Sequence, residues 1–199
     1  GHRFRHFAAY EEAVFGAASH TEILLISDTE RVKFERHYRT PAARMHMLPP
    51  GISPDRRAGD DARERRRSAR AGLGLQAEDH ALLFVGSGFI KKGLDRAVRA
   101  LANAGAEQPH ARLRLFVVGQ DKERRFRRLA RKLGVADRVT FLGPRDDIPE
   151  LLLGADALIH PALDEAAGIV LLEALVAGLP VICTEACGYA HHIVAGRCG

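Results

Sequence analysis

Tryptophan is absent from the 199 residues, aromatic side chains make up only 6% of them, and there are three cysteines. Cys183, Cys187 and Cys198 are too few for a paired framework, which excludes a disulfide scaffold and points to a reducing, cytoplasmic setting. No apolar run approaches the ~18 residues that a membrane span requires, and no signal-peptide pattern opens the chain. The G-x4-G-K-[ST] spacing of a Walker loop is missing, and so is a complete G-x-G-x-x-G. There is no G-x-S-x-G elbow, no arrangement resembling a hydrolase triad, and no carboxylate cluster that would hold a divalent metal. Internal repeats and low-complexity tracts are lacking as well.

What is present is a 46% hydrophobic fraction, ample for a core, and 30 basic against 25 acidic residues. The resulting pI near 9.4 permits an acidic ligand or an anionic membrane surface without selecting either. The chain begins Gly1-His2-Arg3 inside a helical pattern, so the expectation is a fragment whose upstream part is missing. Residues 3–18 read as an amphipathic helix, Glu22 to Ser27 and Met45 to Leu48 as short strands, and Asp28 as the cap of a helix between them. The Pro- and Gly-rich segment Leu48 to Pro54 can continue neither a helix nor a central strand. The expected organisation is a domain remnant at 1–48, a linker at 49–57 and a main domain at 58–199, with an Arg-rich helix after Asp60 and Asp61 taken as a solvated surface element.

From residue 81 short apolar runs alternate with helical segments. The runs are Ala81 to Val85, Leu113 to Val118, Arg138 to Leu142, Ala157 to His160 and Pro180 to Thr184. Between the first three lie helices in which Leu94, Ala97, Val98 and Leu101, then Phe126, Leu129, Ala130 and Leu133, fall at i, i+3, i+4, i+7. Asp121 reads as the N-cap of the second and Gly134 as its stop. Continuous apolar strands alternating with helices predict an α/β, doubly wound parallel sheet covered on both faces. Such sheets bind ligands beyond the carboxyl ends of their strands, where Gly86-Ser87-Gly88, Gly119-Gln120, Gly143-Pro144-Arg145 and His160 to Gly168 lie.

Two of these stretches carry candidate chemistry. Ala166 to Gly178 is apolar or small except for Glu173, which reads as an oily helix with one carboxylate that needs a donor. Glu165 stands just before that helix, and Gly168 lets a ligand approach backbone N–H groups at its start, an anion site in principle. A nucleotide diphosphate sugar would satisfy both ends; pairing of Glu173 with a buried Arg would satisfy one. After the strand at 81–85, the turn Gly86 to Gly93 sets Lys91 and Lys92 where a phosphate would lie, and cations at a helix start are otherwise unfavourable. Arg145 fits a base or phosphate contact and, equally, an ion pair with Asp146 or Asp147. Cys183, Cys187, His191 and His192 have nearly regular spacing, but Gly188 interrupts any shared helix, so a loop beside the strand ends is expected instead of zinc.

Glu165 to Glu173 is the E-x7-E signature of retaining glycosyltransferases with the GT-B fold, and Gly86-x-Gly88-x4-Lys92-Gly93 resembles their diphosphate loop. VGSGFIKKGLDRAV at 85–98, LFVVGQDK at 115–122, HPALDEAAGIVLLEALVAGLPV at 160–181 and CGYAHHI at 187–193 resemble the glucosyltransferases of this family that extend the lipopolysaccharide core. The resemblance implies transfer of glucose from UDP-glucose, with retention and without a metal, to a core heptose at the cytoplasmic face of the inner membrane, with peripheral attachment and no nucleic-acid partner. It also implies roles. Glu173 would hold the ribose, Lys91 and Lys92 the diphosphate beside Gly88, and Arg145 the uracil. Backbone at Ala167, Gly168, Ile169 and Val170 would hold phosphate and sugar, and Glu165 would face the glucose. Open alternatives are another donor or acceptor on the same fold, or a UDP-sugar epimerase of GT-B architecture. A basic nucleic-acid binder using the Arg124 to Arg131 face is a further class.

Overall fold

The computed structural model describes residues 2–48, 50–108 and 110–196. The chain divides into two compact units, residues 1–51 and 52–199.

In the first unit, α1 (His2–Phe15) precedes β1 (Ile23–Leu25), α2 (Asp28–Tyr38) and β2 (Met45–Met47), and the two strands pair in parallel. Ile23, Leu25 and Met45 form a small core closed by Phe15 and Phe34. Buried Arg44 donates to the carbonyls of Val14, Gly16 and Thr21 at 2.8–2.9 Å, so its charge binds the turn between α1 and β1 to the strands. The cap of α2 is Ser27, whose Oγ accepts from Thr29 N–H; Asp28, the expected cap, is already inside the helix.

The second unit opens with α3 (Ala62–Gly72). It then runs β3 (Asp79–Val85), α4 (Leu94–Glu107), β4 (Arg112–Val118), α5 (Arg124–Lys132) and β5 (Val139–Gly143). It continues through α6 (Ile148–Gly154), β6 (Ala157–His160), α7 (Ile169–Val176), β7 (Val181–Cys183) and α8 (Ala190–Gly196). The five strands are parallel in the order β5-β4-β3-β6-β7. Alternation along β3 shows why the sheet is covered twice. Ala81 and Leu83 enter one core with Phe116, Leu152, Leu158 and Leu171, while Phe84 enters another with Leu94, Leu101, Leu115 and Phe126. The strand order reverses between β3 and β6, which opens a crevice at their carboxyl ends.

Three local expectations change. The Arg-rich α3 is not merely solvated: Arg66 and Arg70 both reach Asp156, at 2.5 and 3.0 Å, and Arg65 pairs with Glu150 at 2.8 Å. Asp156 also accepts Ala81 N–H at 2.7 Å, so guanidiniums fasten α3 to the amino ends of β3 and β6. Asp121 does not cap α5; Glu123 occupies that position, without a side-chain cap bond. The oily helix is shorter than its composition suggests, because Gly168 takes φ of 89° and Glu165 forms a bridge with Cys187, which leaves 165–168 outside α7.

Candidate functional site

The loops at the carboxyl ends of β3, β4 and β5 brace one another through their backbones. Gly86 N–H donates to Val118 O and Gly119 N–H to Gly143 O, each at 2.9 Å. Asp121 Oδ2 accepts Phe89 N–H at 2.7 Å, and Ser87 Oγ accepts Gln120 N–H at 3.1 Å. Phe89 is fully buried and anchors the turn from below, while Ile90 stays exposed. The Gly86 to Gly93 segment is thereby a fixed cradle. Gly88, with φ of 75°, has open space where a Cβ would stand.

Glycine at 93 is a packing requirement. It has φ of 74°, and a Cβ there would overlap the Pro161 carbonyl. This close approach, with Leu163 N–H donating to Lys91 O at 2.8 Å, joins the β3 turn to the loop after β6. The consequence is electrostatic. Lys92 Nζ forms an ion pair with Glu165 Oε2, and both side chains are largely buried. Burial is the main cause that lowers the Lys92 pKa, and the Lys91 charge adds to it. Lys91 itself is exposed and pairs with Asp164 at 3.1 Å. His160 Nε2 approaches Glu165 Oε2 at 3.5 Å from the floor of the crevice.

The start of α7 adjoins this group. Glu165 Cγ lies 3.4 Å from where a Cβ on Gly168 would stand. The carbonyls of Glu165 and Ala167 accept from Gly188 and Tyr189 N–H, both at 2.9 Å, so the segment is fixed on its far side. Among the described residues, none accepts a hydrogen bond from the backbone N–H of Ala167, Gly168, Ile169 or Val170. Four free donors at a helix start beside a buried lysine form a site for an anion.

Among the described residues, Glu173, Arg145, His191 and His192 make no hydrogen bond or ion pair with the side chain of Lys92 or Glu165. Glu173 is held by Arg56 at 3.5 Å, so the donor it needs comes from the segment just before α3. That partner is the arginine anticipated as one of two outcomes, although Arg56 is only half-buried. The contact is long for a hydrogen bond, and acceptor capacity remains on the carboxylate. Arg145 is half-exposed and forked onto Asp147 at 2.7 and 2.5 Å, which is the ion-pair alternative; no hydrogen bond or ion pair links it to Lys92 or Glu165. His191 and His192 lie on α8, not on a loop, and their rings stand 4.0 Å apart. Among the described residues no three His, Cys, Asp or Glu side chains converge as ligands would.

Sequence reasoning passed over three contributors: His160, Arg56 and Asp121. A buried histidine at a strand end has no local signature, and an aspartate just before a helix reads as its cap whether or not its carboxylate is taken elsewhere, here by Phe89 N–H. The signal available for Arg56 was the unmet need of Glu173 for a donor.

Comparison with known proteins agrees with this geometry. The family model for glycosyl transferases group 1 matches residues 65–199. The lipopolysaccharide glucosyltransferase WaaG of Escherichia coli K12 is 47% identical over 99% of the chain and 52% of the relative. A D-inositol 3-phosphate glycosyltransferase of Rhodococcus opacus is 33% identical over 88% of the chain and 41% of its own length. The crystal structure of WaaG superposes with a TM-score of 0.92, again at 47% identity, covering 99% of this chain and 53% of that one. At 22% identity, Anabaena HepE, solved with UDP and glucose, shares the fold with a TM-score of 0.72 over 86% of this chain and 46% of that one. The chain thus spans about half the length of the relatives it matches. With its Rossmann-like parallel sheet and its crevice at the β3/β6 reversal, the chain belongs to the group 1 glycosyltransferases of GT-B fold.

Proposed function

We propose that residues 58–199 are the nucleotide-sugar-binding part of a glucosyltransferase that moves glucose from UDP-glucose, with retention, to a heptose of the lipopolysaccharide core. Residues 1–48 are the end of its acceptor-binding domain, and 49–57 the linker. The protein works at the cytoplasmic face of the inner membrane as a peripheral enzyme; no described helix is long and apolar enough to cross a membrane. The observation that carries the reading is the Lys92–Glu165 pair set beside the four unbonded N–H groups at the start of α7.

In this arrangement the donor diphosphate lies between Lys92 and the N–H groups of Ala167 to Val170, with Lys91 at the rim. Negative charge grows on the leaving phosphate as the glycosidic bond breaks, so donors already fixed there stabilise the transition state more than the ground state. The phosphate oxygen that departs takes the proton of the attacking acceptor hydroxyl on the same face, which retains configuration without a protein nucleophile. Glu165, drawn from Lys92 toward the sugar, accepts from glucose hydroxyls; Glu173 accepts from the ribose alongside Arg56. Arg145 flanks the uracil and Gly88 lets the diphosphate approach the cradle.

Titration of UDP into wild type and Glu173→Ala by calorimetry tests the donor reading. Loss of one charged acceptor for the ribose hydroxyls is worth about 1.5–3 kcal/mol, so affinity should fall roughly tenfold to a hundredfold. Undiminished affinity in the variant removes Glu173 from the site. Competition between UDP-glucose and GDP-mannose then separates donors, and turnover of UDP-sugar without acceptor would indicate an epimerase.

A further inference from the structure

His160 ends β6 and is 1% exposed, yet neither of its ring nitrogens makes a hydrogen bond to a described residue. Leaving a buried polar atom unpaired costs about 1–3 kcal/mol, so such a side chain asks for an explanation. Its surroundings offer few. One ring face lies nearly parallel to Phe84, with centroids 6.2 Å apart, and Cys187 Sγ sits 3.8 Å from the His160 backbone oxygen. The charged groups facing the ring are the Lys92 ammonium and the Glu165 carboxylate, whose Oε2 is 3.5 Å from Nε2. Apart from its ion pair with Lys92, that same Oε2 accepts no hydrogen bond. A buried ring nitrogen without a partner and a buried carboxylate oxygen held by Lys92 alone therefore stand a few tenths of an ångström beyond bonding distance.

We propose that His160 is a positioning residue for Glu165: as the neutral Nε2–H tautomer it takes Oε2 when the donor diphosphate draws the Lys92 ammonium away. The inference builds on the donor-binding reading of Lys92 and Glu165. One ammonium cannot neutralise a diphosphate and also hold Glu165 at full strength. Without a second donor the carboxylate would follow the lysine toward the phosphates or remain buried and unpaired. With His160 beneath it, Glu165 keeps one oxygen fixed and presents the other to the hexose. Burial, and then the Lys92 charge, lower the His160 pKa to about 4, which keeps the ring neutral and prevents an imidazolium from competing with Lys92 for the carboxylate.

Two substitutions separate positioning from packing. His160→Phe keeps a ring on Phe84 and removes the donor; His160→Gln keeps an N–H at similar reach. The phenylalanine variant should bind UDP within about twofold of wild type. It should lose roughly tenfold or more of the extra affinity for UDP-glucose over UDP, or of kcat with KM unchanged, and the glutamine variant should recover most of the loss. Equal weakening of UDP and UDP-glucose with no rescue by glutamine overturns the proposal and leaves a packing role. Nitrogen-15 NMR of the imidazole decides the tautomer whether or not donor is bound. A single N–H on Nε2 at pH 7 supports the proposal, while an Nδ1–H tautomer or an imidazolium overturns it. A wild type that ignores UDP-glucose would refute the donor reading itself, and the ring spectrum still decides the His160–Glu165 pairing.

Discussion

Substituting Gly93 by alanine tests whether the close approach of the β3 turn to the loop after β6 builds the site. Two costs add. A residue with a Cβ in the left-handed region loses about 1–2 kcal/mol relative to glycine. The new methyl would also stand 2.8 Å from the Pro161 carbonyl carbon and overlap its oxygen. Backbone lies on both sides, so no flexible side chain can yield, and overpacking of this kind costs about 1–3 kcal/mol. The total, roughly 2–5 kcal/mol, is a large fraction of an ordinary domain's stability. Gly134→Ala is the matched control, with φ of 71° and nothing within 4 Å of the added Cβ; it should lose only the conformational part. Urea unfolding of both variants, compared at equal m, measures the difference. Because Pro161 follows His160 and Leu163 bonds to Lys91, Gly93→Ala should also separate Lys92 from Glu165 and weaken UDP binding, which Gly134→Ala should not. If Gly93→Ala is no more destabilising than Gly134→Ala, the contact with Pro161 does not hold the two loops together.

Other perturbations have equally definite outcomes. His160 has a folded-state pKa near 4 against 6.5 in the unfolded chain, so the unfolded state binds the extra proton between those values. Its contribution is complete above pH 6.5 and is lost as pH falls toward 4, up to about 3 kcal/mol. Denaturant midpoints from pH 7 to 4.5 should fall less steeply in His160→Phe; identical slopes would show that the ring is not kept neutral. Asp156→Ala leaves Ala81 N–H without its acceptor and Arg66 and Arg70 without their carboxylate. A loss of roughly 2–4 kcal/mol should follow in urea, and a loss under about 1 kcal/mol would mean that α3 is held by packing alone. Lys92→Gln should reduce UDP affinity by tenfold or more with a shallower salt dependence, whereas Lys91→Gln, at the exposed rim, should cost about threefold or less. Equal effects of the two would contradict the burial difference between them.

Much of the second unit is legible from periodicity. The apolar faces of α4 and α5 appear at i, i+3, i+4, i+7; all four residues of the first are buried, whereas in the second Phe126 and Ala130 are buried and Leu129 and Leu133, the latter at the C-cap, are partly so. All five strand runs become strands, with ends shifted by at most two residues and β6 not at all. The boundaries that failed did so for identifiable reasons. Thirteen residues of oily composition from Ala166 suggested one helix, but the carbonyls of Glu165 and Ala167 are taken by the turn at 188–189 and Gly168 adopts a left-handed conformation, so α7 starts at Ile169. Ser27 and not Asp28 caps α2 because a one-position shift in a cap costs little that local sequence records.

Sequence alone determined the alternation of strand and helix, the glycine-rich turns at the carboxyl ends of the strands, and the presence of two glutamates and two lysines in and beside two of those stretches. It could not determine which of these charges meet. That depends on β6 lying beside β3 rather than outside β5, a choice made by packing among the strands and helices and invisible to any local pattern. Strand order brings Lys92 to Glu165 and His160 within 3.5 Å of Glu165, and Glu173 meets Arg56, whereas Arg145 takes its neighbour Asp147, the one pairing that local sequence offered. Charge pairs between distant segments follow from how the sheet closes, because burial strengthens whichever opposite charges the fold makes neighbours.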